Sequence, residues 1–113
     1  MEIAIEQAGD VAVVVLPGDH LDASQAEEFK RDIAPILDAH SRVLFDMSGL
    51  RFMDSAGIGA LLSCLRRLSA EDGDLKIFGL LEPVRAVFDM TRMHRIFDIF
   101  DTRAEALAAF ESE

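Results

Sequence analysis

The sequence predicts an α/β fold, a mixed β-sheet of about five strands with about four helices packed mainly on one side, and three observations carry that expectation. Short runs rich in Val, Ile and Leu alternate with segments whose apolar residues recur every three or four positions, the pattern of strands joined by crossover helices. The first two runs flank Gly9-Asp10, which reads as a turn, so the sheet opens with an antiparallel hairpin before its later strands turn parallel. Half of the 113 residues are hydrophobic, enough for one compact core burying roughly two-thirds of the surface the unfolded chain exposes. No internal repeat, linker or low-complexity tract divides the chain, so residues 1–113 read as one domain.

Taken in order, Ile3 to Ile5 and Val11 to Leu16 form the hairpin strands, and Pro17-Gly18 ends the second. The loop Asp19-His20-Leu21-Asp22 leads into a helix with candidate caps at Asp22 and Ser24 and an apolar face of Phe29, Ile33, Ile36 and Leu37. Pro35 falls inside that helix, where it removes one backbone hydrogen bond and crowds the carbonyl four residues earlier, at ~3 kcal/mol; a bend is expected there. Val43, Leu44 and Phe45 make a buried strand that Asp46, Ser48 and Gly49 interrupt. Ile58, Leu61, Leu62, Leu65 and Leu68 then mark a second helix, ended by Glu71-Asp72-Gly73-Asp74. Leu75 to Leu80 supplies another strand, with Lys76 its one charge. Pro83 suits the first residue of a third helix, whose stripe is Val84, Val87 and Phe88. Ile96 to Phe100 reads as a last short strand, and the spacing Thr102-x-x-Glu105 as a capping box opening a C-terminal helix with Leu107 and Phe110 inward.

The composition narrows the function. The chain carries 21 acidic and 11 basic residues, a formal charge of −10, with 11 acids against 4 bases up to residue 56 and 10 against 7 beyond it. That balance repels nucleic acid phosphates and anionic membrane surfaces and favours basic protein partners or plain solubility. No uncharged apolar run approaches the ~18 residues of a membrane span, and the charged N-terminal segment is no signal peptide, so a cytoplasmic protein is expected. The lone Cys64 permits no intrachain disulfide and falls within the second helix, where a small buried side chain fits. His20, His40 and His94 show no metal-ligand spacing, and neither a metal nor another cofactor is expected. Met47, Met53, Met90 and Met93 read as core filler.

The segment Asp46-Met47-Ser48 through Asp54-Ser55-Ala56-Gly57-Ile58-Gly59 places a hydroxyl between a strand and a helix. Ser55 has a structural reading, as the N-cap that satisfies free amides of the first turn. It also has a functional one, as a modifiable hydroxyl. Phosphorylation would add about −1.5 to −2 charges beside Asp54 while the helix N-terminus stabilises the phosphate, so the fold survives and a docked partner feels the change. Arg51, Arg66 and Arg67 are candidate phosphate or carboxylate partners, with solvation the simpler reading. Gly57 and Gly59 permit close approach either of a partner or of the sheet. An enzyme is not expected. Met53-Asp54-Ser55-Ala56-Gly57 lacks the first glycine of the nucleophile elbow even though Asp89 and His94 follow in order, and Gly57-x-Gly59 lacks the rest of a nucleotide-binding loop.

Residue type for residue type, the Asp46–Gly59 segment resembles the signature of the STAS domain of anti-sigma factor antagonists. Gly18 with Leu21-Asp22-Ala23 resembles the family's loop before the first helix, and Pro83-Val84-Arg85 with Ile96-Phe97 and Phe100-Asp101-Thr102 its closing portion. The resemblance implies a STAS fold across the whole chain and a partner switch. In that switch the unphosphorylated protein binds an anti-sigma factor serine kinase, freeing a sigma factor. Phosphorylation of Ser55 releases the kinase, and a metal-dependent serine phosphatase resets the cycle. Asp22, Asp54, Ser55, Gly57 and Ile58 are the implied partner-binding residues. The alternative is a non-switching STAS subunit, a structural component of a stress-signalling assembly or of a lipid-transport ATPase. Glu82 and Thr91-Arg92-Met93 depart from the family's more usual asparagine and Thr-Gly-Leu.

Overall fold

A computed structural model describes residues 1–113. A five-stranded mixed sheet runs in the order β1-β2-β4-β6-β7, built from Ala4–Ala8, Val11–Val15, Arg42–Asp46, Asp74–Phe78 and Asp98–Phe100. β1 pairs antiparallel to β2 across the Gly9-Asp10 turn, where Gly9 adopts a φ of 63°; every later pairing in this sheet is parallel. The parallel crossovers are α1 (Ala26–Ala39), α2 (Ser55–Ser69) and α3 (Glu82–Met90), and α4 (Arg103–Glu111) follows β7.

Strand alternation sorts the sheet's side chains into two layers. Val14, Val43, Phe45, Leu75 and Ile77 meet Phe29, Ile33 and Leu37 of α1, Leu61, Cys64 and Leu68 of α2, and Val84 and Phe88 of α3 in the larger core. Val11, Val13, Leu44 and Phe78 meet Ala106 and Phe110 of α4 in a smaller one on the opposite face. Three helices therefore cover one face and one covers the other. Thr102 caps α4 as its spacing predicts, with its hydroxyl oxygen accepting from the Glu105 amide at 3.2 Å while the hydroxyl donates to the Glu105 carboxylate at 2.9 Å.

Several elements differ from the sequence reading. The fourth strand of the parallel set begins only at Asp98, leaving Ile96 half exposed, because a 3-10 turn over Met93–Arg95 carries the chain out of α3. Met90, at the end of α3, is 83 % exposed and fills no core, whereas Met47 and Met53 do. β6 stops at Phe78, since Gly79 turns away with a φ of 82°. α1 is helical without interruption through Pro35, an exposed residue, and the Arg31 carbonyl four residues earlier is deprived of its helical donor. Its N-cap is Gln25, without a side-chain cap; Asp22 and Ser24 instead close a turn just ahead of the helix. A second sheet, β3 (His20–Leu21) with β5 (Phe52–Met53), has no counterpart in the sequence reading.

Lys76 is buried to 5 % exposure on the α4 face. Its Nζ lies 2.9 Å from Asp74, 3.1 Å from Asp98 and 2.9 Å from Glu113, and 5.0 Å from the centre of the Phe110 ring. Burial alone lowers a lysine's pKa, but hydrogen bonds to the three carboxylates outweigh it and hold Lys76 above its ordinary value.

Candidate functional site

The parallel pair β3–β5 organises the loops around Ser55. His20 faces Phe52 and Leu21 faces Met53 in register, and the amides of Arg51 and Phe52 donate to the Asp19 carbonyl. In so short a strand one side chain goes in and its neighbour out. Met53 is buried and Phe52 is 54 % exposed on the rim. The next step along each strand brings Asp22 and Asp54 to the two loops that follow.

Asp54 fixes how those loops meet. With φ −118° and ψ −173° it is the N-cap of α2, and one carboxylate oxygen accepts from the Gly57 amide at 3.0 Å. The other accepts from the Ala23 amide at 3.1 Å, so a single side chain ties the start of α2 to the loop preceding α1. Ser55 is therefore the first helical residue and not the cap. Asp54 supplies the capping oxygen, and the Ser55 hydroxyl stays at the surface, in an exposed residue. The first intrahelical bond runs from the Ile58 amide to the Asp54 carbonyl, so the backbone N–H groups of Ser55 and Ala56 lie before it, where helices favour anions.

Gly57 is needed for close approach: a Cβ there would stand 2.3 Å from the Leu21 carbonyl oxygen. Its absence lets α2 settle against β3. Ile58 points inward, 6 % exposed within the larger core. Gly59, one helical turn beyond Ser55, is exposed, and a Cβ on it would meet nothing within 4 Å. Of the predicted recognition residues, the fold gathers Asp22, Asp54 and Ser55 at one edge and sets Gly57 and Ile58 beneath it.

The surrounding charges are mostly acidic. Asp22 accepts from the Ser24 amide at 2.9 Å and from its hydroxyl, and these bonds hold its carboxyl below the usual range. Asp19 is likewise held low, first by its hydrogen bond with His20. Arg66 and Arg67 are both exposed, as expected, and Arg67 also pairs with Asp38 of α1 across the helix pair. Cys64 is buried, and desolvation pushes its thiol up to about 12, so it is inert as a nucleophile. Asp89 and His94 stand 3.6 Å apart at the end of α3, whereas Ser55 opens α2. Sequence reasoning overlooked Phe52 and His20; the out-facing alternation next to buried Met53 is the signal for the first.

The chain belongs to the STAS domain family, whose model matches residues 2–106. Its relatives include BtrV of Bordetella bronchiseptica, named as a candidate anti-sigma factor antagonist, at 26% identity over 99% of this chain and 97% of its own length. The anti-sigma F factor antagonist of Paenibacillus polymyxa is 24% identical over 98% of this chain and 96% of its own. Among solved structures, the anti-sigma factor antagonist SpoIIAA in its unphosphorylated form superposes with a TM-score of 0.80 at 24% identity, covering 99% of this chain and 98% of that one. The phosphorylated form of SpoIIAA gives 0.71. No helix of the present chain is long and apolar enough to cross a membrane.

Proposed function

We propose that this protein is an anti-sigma factor antagonist that docks through the Ser55 end of α2 and is switched by phosphorylation of Ser55. The observation that carries the reading is the division of labour at the helix start. Asp54 takes over capping, so the neighbouring hydroxyl is spared for chemistry and stands exposed where a helix N-terminus accepts an anion. An anti-sigma factor serine kinase transfers the γ-phosphoryl group of ATP to the Ser55 oxygen, which gives up its proton, and a metal-dependent serine phosphatase hydrolyses the ester. In this scheme the chain is a substrate and not a catalyst, and the circuit operates in the cytoplasm.

The phosphate leaves the fold intact, because the dipole and the free amides of α2 offset it by ~0.3–1 kcal/mol at an exposed site. Docking suffers more. A partner covering Ser55 must strip water from a dianion beside Asp22 and Asp54, which costs several kcal/mol; about 2.8 kcal/mol already corresponds to about a hundredfold in affinity. Asp22, Asp54 and Ser55 present the contact surface, and Gly57 and Ile58 shape it from below.

The test is to incubate the protein with lysate of its source cells and ATP, map phosphate by mass spectrometry and purify the kinase responsible. Ser55→Ala should bind that kinase regardless of ATP, and Ser55→Asp should bind at least about tenfold more weakly while staying folded. Equal affinity of the two variants would refute the switch.

A further inference from the structure

His20 occupies the acidic loop on the rim of this surface, opposite Phe52 in the β3–β5 pair. Its Nδ1 is 2.9 Å from Asp19 Oδ1, and its Nε2 is 4.0 Å from Asp22 Oδ2. Asp22 is thereby shared. Its Oδ1 holds the Ser24 amide and hydroxyl, its Oδ2 faces the imidazole, and the intervening Ala23 amide reaches Asp54 at the start of α2. One ring thus borders the short chain of contacts that runs from the docking loop to the cap beside Ser55.

We propose that His20 is a proton-operated clasp on Asp22: the imidazolium holds this carboxylate within the loop, and the neutral ring releases it to a basic group of the docking partner. His20 is a positioning residue in this scheme, acting through Asp22. Its effect on docking rests on the Ser55-end reading given above, while the clasp itself is a property of the isolated chain.

The charges around the ring agree on the direction. Asp19 and Asp22 flank it on its own loop, Asp54 joins that loop from the head of α2, and Arg51, before β5, acts on Asp19. The hydrogen bond to Asp19 leads in raising His20 above its usual value of about 6.5, with Asp22 adding to it and partial desolvation opposing. Asp19 and Asp22 are both held low, so they stay ionised while the ring titrates. The clasp is therefore complete below the ordinary histidine value and is lost as pH rises through the raised one.

NMR titration of the labelled 113-residue chain decides the matter. The His20 ring should titrate above about 6.5, and the Ser24 amide, which donates to Asp22, should shift with the same midpoint. Asp22→Asn should lower the His20 midpoint. His20→Gln should abolish the Ser24 transition while the remaining spectrum stays dispersed. A Ser24 transition that survives in His20→Gln, or a His20 midpoint indifferent to Asp22→Asn, overturns the clasp. With the purified kinase, docking should tighten about two- to fivefold between pH 6 and pH 8 and lose that dependence in His20→Gln. Wild-type binding that is flat with pH overturns the effect on docking. Failure to bind at every pH instead strikes the Ser55-end reading, leaving the amide titration to judge the clasp alone.

Discussion

Two charged regions of this protein, the Ser55 edge and the Lys76 node, use the same kinds of side chain in opposite ways. Around Lys76 three carboxylates converge on one ammonium between the sheet and α4, and the cation is almost fully buried. Around Ser55 the carboxylates Asp19, Asp22 and Asp54 mostly bind backbone amides, a hydroxyl or a histidine, leaving a net negative, hydrated edge. The difference is one of purpose. A buried cation among carboxylates fixes how layers stack and tolerates little change, because the ammonium, without its partners, is stranded away from water. On the proposed reading, an exposed hydroxyl whose neighbours are already satisfied by the backbone is free to change its charge without disturbing the fold.

The largest effect should come from breaking the node. Lys76→Ala leaves Asp74 and Glu113 crowded together with only Arg42, 3.9 Å from Glu113, as a nearby cation, and we expect a loss of about 3 kcal/mol in urea unfolding. This is the low end for a broken buried pair, because Asp98 keeps most of its hydration. If unfolding shows no loss, the node does not hold α4 to the sheet. Gly57→Ala comes next. Its Cβ must push the Leu21 carbonyl away, so about 1–3 kcal/mol should be lost, with faster amide exchange at Arg51 and Phe52, whose N–H groups bind the adjoining loop. Unchanged exchange there would show that β3 and β5 yield without separating.

Smaller effects test the edge itself. Asp54→Ala removes the cap and the tie to Ala23 together, and thermal unfolding should register about 1 kcal/mol. Smallest should be Gly59→Ala, which relieves the helix of a poor former in open space and should stabilise the chain by up to about 1 kcal/mol. The comparison sharpens if this stabilised variant docks the proposed kinase less well, since no neighbour within the chain requires a bare backbone at that position. Undiminished docking would assign Gly59 no part in the interface.

The elements of the fold were legible in the sequence because face and capping are local. A helix that must cover a sheet repeats its apolar residues every three or four positions whichever neighbour it meets, and Thr102 and Glu105 meet across a single turn. The position of Ser55 at the head of α2 was legible for the same reason. What surrounds it was not. β3 and β5 are two residues each, too short to print a period, and their pairing joins positions about thirty residues apart. Hence the tertiary structure alone decided that Asp54, while capping its helix, also links it to Ala23, and that Gly57 serves an internal contact. It also decided that Lys76 is buried among partners from three elements and that Met90, on a helix with a sound apolar stripe, stands in solvent. Sequence sets which side of an element seeks the core; only the folded packing sets how far the core extends and which distant polar groups come within reach of one another.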